Sequence, residues 1–243
     1  MKNSQAWLRD ALGYECRDTV LLESALTHRS AGGAHNERLE FLGDAILNCV
    51  VAAMVFREFA NANEGDLSRF RASLVSGEAL AVIAAEIDLG HQVRLGSGEL
   101  KSGGFRRKSI LADALEALLG AIYLDGGFDA VSGVIERLFI PRLEGLPSAA
   151  ELKDPKTRLQ EAVQAKGLPL PAYVVDSVTG EAHSQMFQVS CSVEALGLKA
   201  TGAGPSRRRA EQVAAQEILM RLPKNSGRSG SGDSESDSPE SAG

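Results

Sequence analysis

The sequence predicts a mainly α, all-helical N-terminal domain followed by a small α+β domain of order α-β-β-β-α. Three observations carry this reading. Residues 1–145 space their apolar side chains at helical intervals, with no convincing period-two alternation before residue 170. Proline is absent from residues 1–140, as helix interiors prefer. From Asp154 the pattern changes to one helix, three short alternating runs and a final helix.

The elements follow in order. Helices are expected at 4–12, 19–27, 37–60, 66–88, 107–123 and 128–143, separated by short polar or glycine turns. Asp18 is placed to start the second, and Asp66 and Ser68, just after Gly65, to start the fourth. Residues 142–154 collect glycine, proline and small side chains, which sets a first domain at 1–145, a linker at 146–153 and a second domain at 154–223. In that domain Pro155 opens a helix over 156–166, ended by Gly167 and Pro169. Residues 172–179, 186–195 and 198–201 alternate as strands, with Gly180 and Gly197 marking turns. Pro205 and Ser206 start a last helix to about Leu222. Residues 224–243 are mostly Ser, Gly, Asp and Glu with no large apolar side chain, so a disordered acidic tail is expected.

Composition narrows the class. At 243 residues and 44% hydrophobic content the chain can bury one or two cores. No stretch approaches roughly 18 uninterrupted apolar residues, the length of a membrane span, and Asn48 breaks the longest candidate, 45–56. No membrane partner is therefore expected. The start, M-K-N-S-Q-A-W-L-R-D, lacks the apolar core of a signal peptide. Three scattered cysteines, Cys16, Cys49 and Cys191, suit a reducing cytoplasm, each read as a small buried apolar group. The net charge of −6 does not exclude nucleic acid, because it is unevenly spread. Residues 1–146 hold 15 basic and 20 acidic groups, residues 151–223 hold 9 and 8, and residues 224–243 hold 2 and 4.

Residues 36–44 read N-E-R-L-E-F-L-G-D. On a helix Glu37, Glu40 and Asp44 fall within roughly 60° of one another, with Leu39, Leu42, Ile46 and Val50 opposite. Like charges one turn apart repel, so folding alone gives no reason to stack them, whereas a hard divalent cation wants convergent carboxylates. Residues 107–124 repeat the design, with Asp113 and Glu116 one turn apart and Leu111, Leu115, Leu118 and Ile122 nearly opposite. Gly120, a further turn on, leaves room for a close approach by backbone or substrate. Two such helices can build one metal site between them. Phe41 sits about 40° from Glu37 on the wheel, beside the acids, where an aromatic points to an interface. No Cys/His pair has zinc spacing. G-S-G-E-L-K-S at 96–102 lacks the glycine before lysine of a phosphate loop, so no nucleotide cofactor is expected. S-G-G-F-R-R-K at 102–108 offers backbone amides and cations suited to an RNA backbone.

N-E-R-L-E-F-L-G-D resembles the signature of the ribonuclease III family, and other runs agree in order: A-L-T-H-R-S (25–30), E-G-D-L-S-R-F-R (64–71), G-E-L-K-S-G-G-F-R-R (98–107) and S-I-L-A-D-A-L-E-A-L (109–118). K-D-P-K-T-R-L-Q-E (153–161), G-E-A-H (180–183) and G-A-G-P-S-R-R-R-A-E-Q-V-A-A (202–215) resemble the double-stranded-RNA-binding domain of its bacterial short-form members. The resemblance implies a Mg²⁺-dependent endoribonuclease, with Mn²⁺ able to substitute, leaving 5′-phosphate and 3′-hydroxyl ends. It implies Glu40, Asp113 and Glu116 as metal ligands, Asp44 and Glu116 as catalytic residues, and Glu37 and Glu64 as supporting acids. It implies a homodimer joined through Phe41, and a place in ribosomal precursor and messenger RNA processing. Double-stranded RNA is recognised mostly by shape and its 2′-hydroxyls; Thr157, Gln160, Glu161 and Gln164 on one helix, His183 in a turn, and Arg207, Arg208 and Arg209 at a helix start are the expected contacts. Glu211 departs from the family's eukaryotic-style pattern, which has lysine there. Two rival readings are an RNA-binding scaffold without catalysis, which predicts a missing acid, and a phosphohydrolase of small nucleotides, which leaves the second domain without use.

Overall fold

The computed structural model describes residues 2–181 and 183–222, so the tail expected at 224–243 lies outside the described residues. The chain divides after Lys153 into two compact units.

The first unit is helical: α1 (Lys2–Leu12), α2 (Thr19–Ala25), α3 (Glu37–Glu58), α4 (Glu64–Leu74), α5 (Gly77–Glu86), α6 (Ser97–Lys101), α7 (Lys108–Glu144) and α8 (Ala149–Leu152). The Asp18 side chain accepts from the Val20 and Leu21 amides and so starts α2. The single helix expected at 66–88 is two. Asn63, rather than Asp66 or Ser68, caps α4 by accepting from the Asp66 amide. The Ser76 hydroxyl accepts from the Ala79 amide and begins α5. Two helices were expected over 107–143; both lie within α7, where only Gly127 leaves helical geometry (φ 81°, ψ −175°). The stretch 146–153, expected as linker, holds the one-turn helix α8. It is fixed by a Ser148–Glu151 capping box and packs on α4.

α3 and α7 form the centre, burying Leu47 and Val51 against Leu115, Leu118, Leu119 and Ile122. By length and composition either helix could cross a membrane, contrary to the simpler reading of uninterrupted runs. Their apolar faces are instead spent on one another and on α5. Cys16 and Cys191 are buried as expected, but Cys49 is exposed, because it lies on the outer side of α3.

The second unit holds α9 (Pro155–Gln164), β1 (Ala172–Thr179), β2 (Met186–Val193), β3 (Leu198–Gly204) and α10 (Arg207–Arg221). The sheet is antiparallel in the order β1-β2-β3, with Val175 opposite Val189 and a bulge before Ser177. Val189, Cys191 and Val193 point to the helices, where they meet Leu159, Val163, Ala214, Ala215 and Ile218. β2 ends two residues early in a 3-10 turn at Glu194–Leu196. β3 runs three residues beyond the expected Thr201. Its Gly202 and Gly204 face α10: a Cβ on Gly202 would stand 2.3 Å from the Ala210 carbonyl oxygen.

Candidate functional site

α3 and α7 cross at two glycines. A Cβ on Gly43 would stand 1.7 Å from the Glu116 carbonyl oxygen, and one on Gly120 2.3 Å from that of Leu39. Only hydrogen at both positions permits this approach. Of the two possibilities left open for Gly120, backbone or substrate, it is backbone that comes close. The crossing sets Glu40 of α3 beside Asp113 and Glu116 of α7, with one carboxylate oxygen from each within 4.8 Å of the others.

Among the described residues no salt bridge joins this trio to a cation, although Arg29 lies close enough for its charge to act on Glu40 and Asp113. Among the described residues the neighbouring cations are paired elsewhere: Arg29 with Glu37 at 3.3 Å and Arg107 with Glu99 at 3.0 Å. Burial and the adjoining charges of Asp44, Asp113 and Glu40 raise the Glu116 carboxyl from 4.5 to about 7. Burial and the Asp113 charge raise Glu40. Burial raises Asp113, with His28 and Arg29 opposing. The donor set is all oxygen, convergent and in electrostatic conflict, which fits a hard divalent cation and gives a softer metal no ligand.

Glu40 and Asp113 open on a cavity of about 580 Å³ rimmed by His28, Arg29, Glu99 and Arg107. Arg107 is thus the member of the 102–108 run that reaches the acids. Lys108 pairs with Glu78 at 2.5 Å, and Arg106 stacks over Phe105. Asn36 also lines the cavity; it is 2% exposed and its Nδ2 has no hydrogen-bond partner. Sequence reasoning passed over it because an asparagine before a helix reads as a cap, yet its side chain makes no capping bond.

The other expected residues separate into distinct places. Asp44 is exposed, outside the trio, and accepts from Asn48 Nδ2 at 2.8 Å, while its charge acts on Glu116. Glu37 pairs with Arg29, and its other oxygen lies 3.7 Å from His35 Nδ1. Glu64 stands in the first turn of α4, accepts from the Ser68 hydroxyl and lines a different cavity with Phe56 and Arg71. Phe41 is 81% exposed. A cavity of about 600 Å³ is lined by Leu21, Leu39, Leu42 and Leu124 together with Ser24, His35 and Arg38.

In the second unit Gln160, Glu161 and Gln164 are exposed on α9. Thr157 is partly enclosed, and its hydroxyl donates to Asp154, the α9 cap. His183 is exposed and lies 3.7 Å from Glu181. Arg207, Arg208 and Arg209 are exposed in the first turn of α10. Glu211, a departure from pattern with no local sign of burial, is buried there, bound to Lys156 at 2.6 Å and Arg207 at 2.9 Å.

A helical unit with a convergent acidic trio, followed by a small unit of α-β-β-β-α order, is the make-up expected of a nuclease that carries its own RNA-binding domain. The Ribonuclease-III-like family profile matches residues 18–143, and that of the double-stranded RNA binding motif matches residues 155–222. Ribonuclease 3 of Aromatoleum aromaticum is 55% identical over 217 residues, 89% of this chain and 96% of that protein. Ribonuclease 3 of Alkalilimnicola ehrlichii is 57% identical over 88% of this chain and 94% of its own length. The solved nuclease domain of ribonuclease III from Campylobacter jejuni is 43% identical, with a TM-score of 0.57 over 60% of this chain and all of its own. A second structure of that domain, 44% identical with a TM-score of 0.55 over 57% of this chain and 97% of its own, describes flexibility in a region involved in dimer formation. The chain belongs to the ribonuclease III family and is an endoribonuclease.

Proposed function

We propose that the chain is a Mg²⁺-dependent endoribonuclease that cuts double-stranded RNA as a homodimer, Mn²⁺ serving in place of Mg²⁺. The observation that carries this reading is the trio Glu40, Asp113 and Glu116, with oxygens inside 4.8 Å. These three residues would hold the cation. When bound, it relieves charge on the phosphoryl oxygens and lowers the pKa of water. In the reaction water adds to phosphorus and the P–O3′ bond breaks, leaving a 5′-phosphate and a 3′-hydroxyl. We assign Glu116 and Asp44 as the catalytic acids: without a cation, burial and the charges of Asp44, Asp113 and Glu40 raise the Glu116 carboxyl to about 7, and a bound cation would relieve that conflict and hold Glu116 ionised. Arg29 and Arg107, on the cavity rim, are placed to meet substrate phosphates.

The dimer reading rests on Phe41, whose ring is exposed on the helix that also contributes Leu39 and Leu42 to a leucine-rich cavity. A two-fold arrangement lets each ring enter the partner's cavity and sets two cutting centres on one duplex, one for each strand. Processing of ribosomal precursors and messenger RNA, in the cytoplasm, is the cellular role we assign; three free cysteines agree with that compartment. The test is incubation with duplex RNA, single-stranded RNA and duplex DNA, with and without Mg²⁺. Cleavage of duplex RNA alone, only with the cation, is expected. Metal-independent cutting or equal cutting of single strands would overturn the reading.

A further inference from the structure

Glu211 is an acid in a place that ought to disfavour one. It sits one turn into α10, below three arginines expected to face RNA phosphate, where a negative charge repels the ligand. Its side chain is also buried, at 8% exposure, and burying a carboxylate carries a desolvation cost that a neutral residue would avoid. Burial favours protonation, but the bonds from Lys156 and Arg207 outweigh it, and the carboxyl titrates below its usual value. It is therefore an anion at neutral pH, and each oxygen has one task. Oε2 accepts from Lys156 Nζ of α9 at 2.6 Å; Oε1 accepts from Arg207 Nε of α10 at 2.9 Å.

The manner of the second bond matters. Glu211 takes Arg207 by Nε, so the two terminal nitrogens of the guanidinium stay unused; among the described residues they donate to no protein group, and the side chain is 63% exposed. A planar guanidinium held at its inner nitrogen presents a ready fork to a phosphate, with part of its rotamer freedom already lost. On the other side Lys156 lies 4.5 Å from the centre of the Tyr173 ring of β1. Lys156 directly precedes Thr157 in the helix that also exposes Gln160 and Gln164. One carboxylate thus ties the α9 surface to the arginine-bearing start of α10.

We propose that Glu211 is a positioning residue for double-stranded RNA: it holds Arg207 as a preformed phosphate fork and fixes that fork relative to the α9 face. This rests on the reading that this domain binds duplex RNA. It makes an inverted prediction, because a mere surface charge and a positioning charge act in opposite directions. Removing a negative charge beside a polyanion should tighten binding and steepen its salt dependence. Removing a positioning residue should weaken binding.

The experiment uses the full chain without divalent cation, with fluorescence anisotropy on duplex RNA over a salt series and a urea unfolding curve for each variant. Glu211→Gln is expected to bind roughly threefold to tenfold more weakly, from lost preorganisation. Glu211→Asp, which keeps the charge but lacks the reach, should weaken binding similarly. Arg207→Ala should cost clearly less affinity in the Glu211→Gln background than in the native chain. Arg207→Lys, on an exposed side chain that leaves folding untouched, should lose nearly as much as Arg207→Ala, since lysine has neither the Nε anchor nor the fork. Tighter binding by Glu211→Gln, equal costs of Arg207→Ala in both backgrounds, or native affinity of Arg207→Lys would each overturn the inference while leaving the domain's RNA binding intact. Absence of duplex binding by the native chain would overturn both.

Discussion

Replacing Glu116 with glutamine keeps the size and polarity of the side chain but removes the charge most in conflict with its neighbours. Without metal, burial and the charges of Asp44, Asp113 and Glu40 take this carboxyl from 4.5 to about 7. Between those values the folded chain binds more protons than the unfolded chain, so stability falls as pH rises. The favourable contribution is complete below about 4.5 and gone once pH has passed about 7. At ~1.36 kcal/mol per pH unit the interval corresponds to about 3 kcal/mol, which screening in an open groove reduces to about 2. Glu116→Gln should therefore stabilise the metal-free nuclease domain by about 2 kcal/mol at pH 8 and by almost nothing near pH 5. The single tryptophan, Trp7, donates from Nε1 to the Ile87 carbonyl and packs against the first core, so its fluorescence in urea reports on this domain alone. Added Mg²⁺ should reverse the order, because the native site gains binding energy that the variant loses. Cleavage should vanish while RNA binding stays nearly native. A variant equally destabilised at both pH values, or one that gains as much from Mg²⁺ as the native chain, would refute the reasoning.

Gly43→Ala forces a methyl group against the Glu116 carbonyl and should destabilise the same domain by about 3 kcal/mol or more, read as a lower urea midpoint; an unchanged midpoint would mean that the helices do not touch there. Phe41→Asp should give a monomer in sedimentation velocity, since it removes the exposed aromatic area that would be buried between copies and puts a charge in its place; an unchanged dimer would count against the interface. Arg208→Ala, at an exposed position in the first turn of α10, should lower the salt slope of RNA binding by about one, and an identical slope would show that it misses phosphate.

The acids were legible because their helical spacing is a conflict that only a ligand resolves. Glu40, Asp113 and Glu116 come together as two stripes on crossing helices, and the periodicity of each stripe fixed its face. What periodicity could not supply was the crossing point, since Gly43 acts through the absence of a side chain and contributes nothing to an apolar pattern. The break between α4 and α5 was missed for a related reason: Ser76 stops one helix and starts another by a single hydroxyl, within a run whose apolar spacing continues. The end of β3 was drawn too early, at Thr201, because Gly202 and Gly204 carry no side chain to continue the alternation, although their bareness serves the packing of α10. Glu211 was visible as a departure from pattern, but its role depends on Lys156, 55 positions earlier, and no local signal links the two.

Where Gly43 meets Gly120, main chain rests on main chain, and no side chain acts as a spacer between the two pairs of acids. The gap between those acids is therefore as narrow as the polypeptide itself allows. Repacking the distant ends of α3 and α7 can trade one aliphatic group for another without altering that width. Only sliding or rotating one helix along the other would change it, and either movement would have to lift the two strands of peptide apart. The centre is in this sense gauged by the thickness of the chain, the one dimension that substitution elsewhere leaves constant.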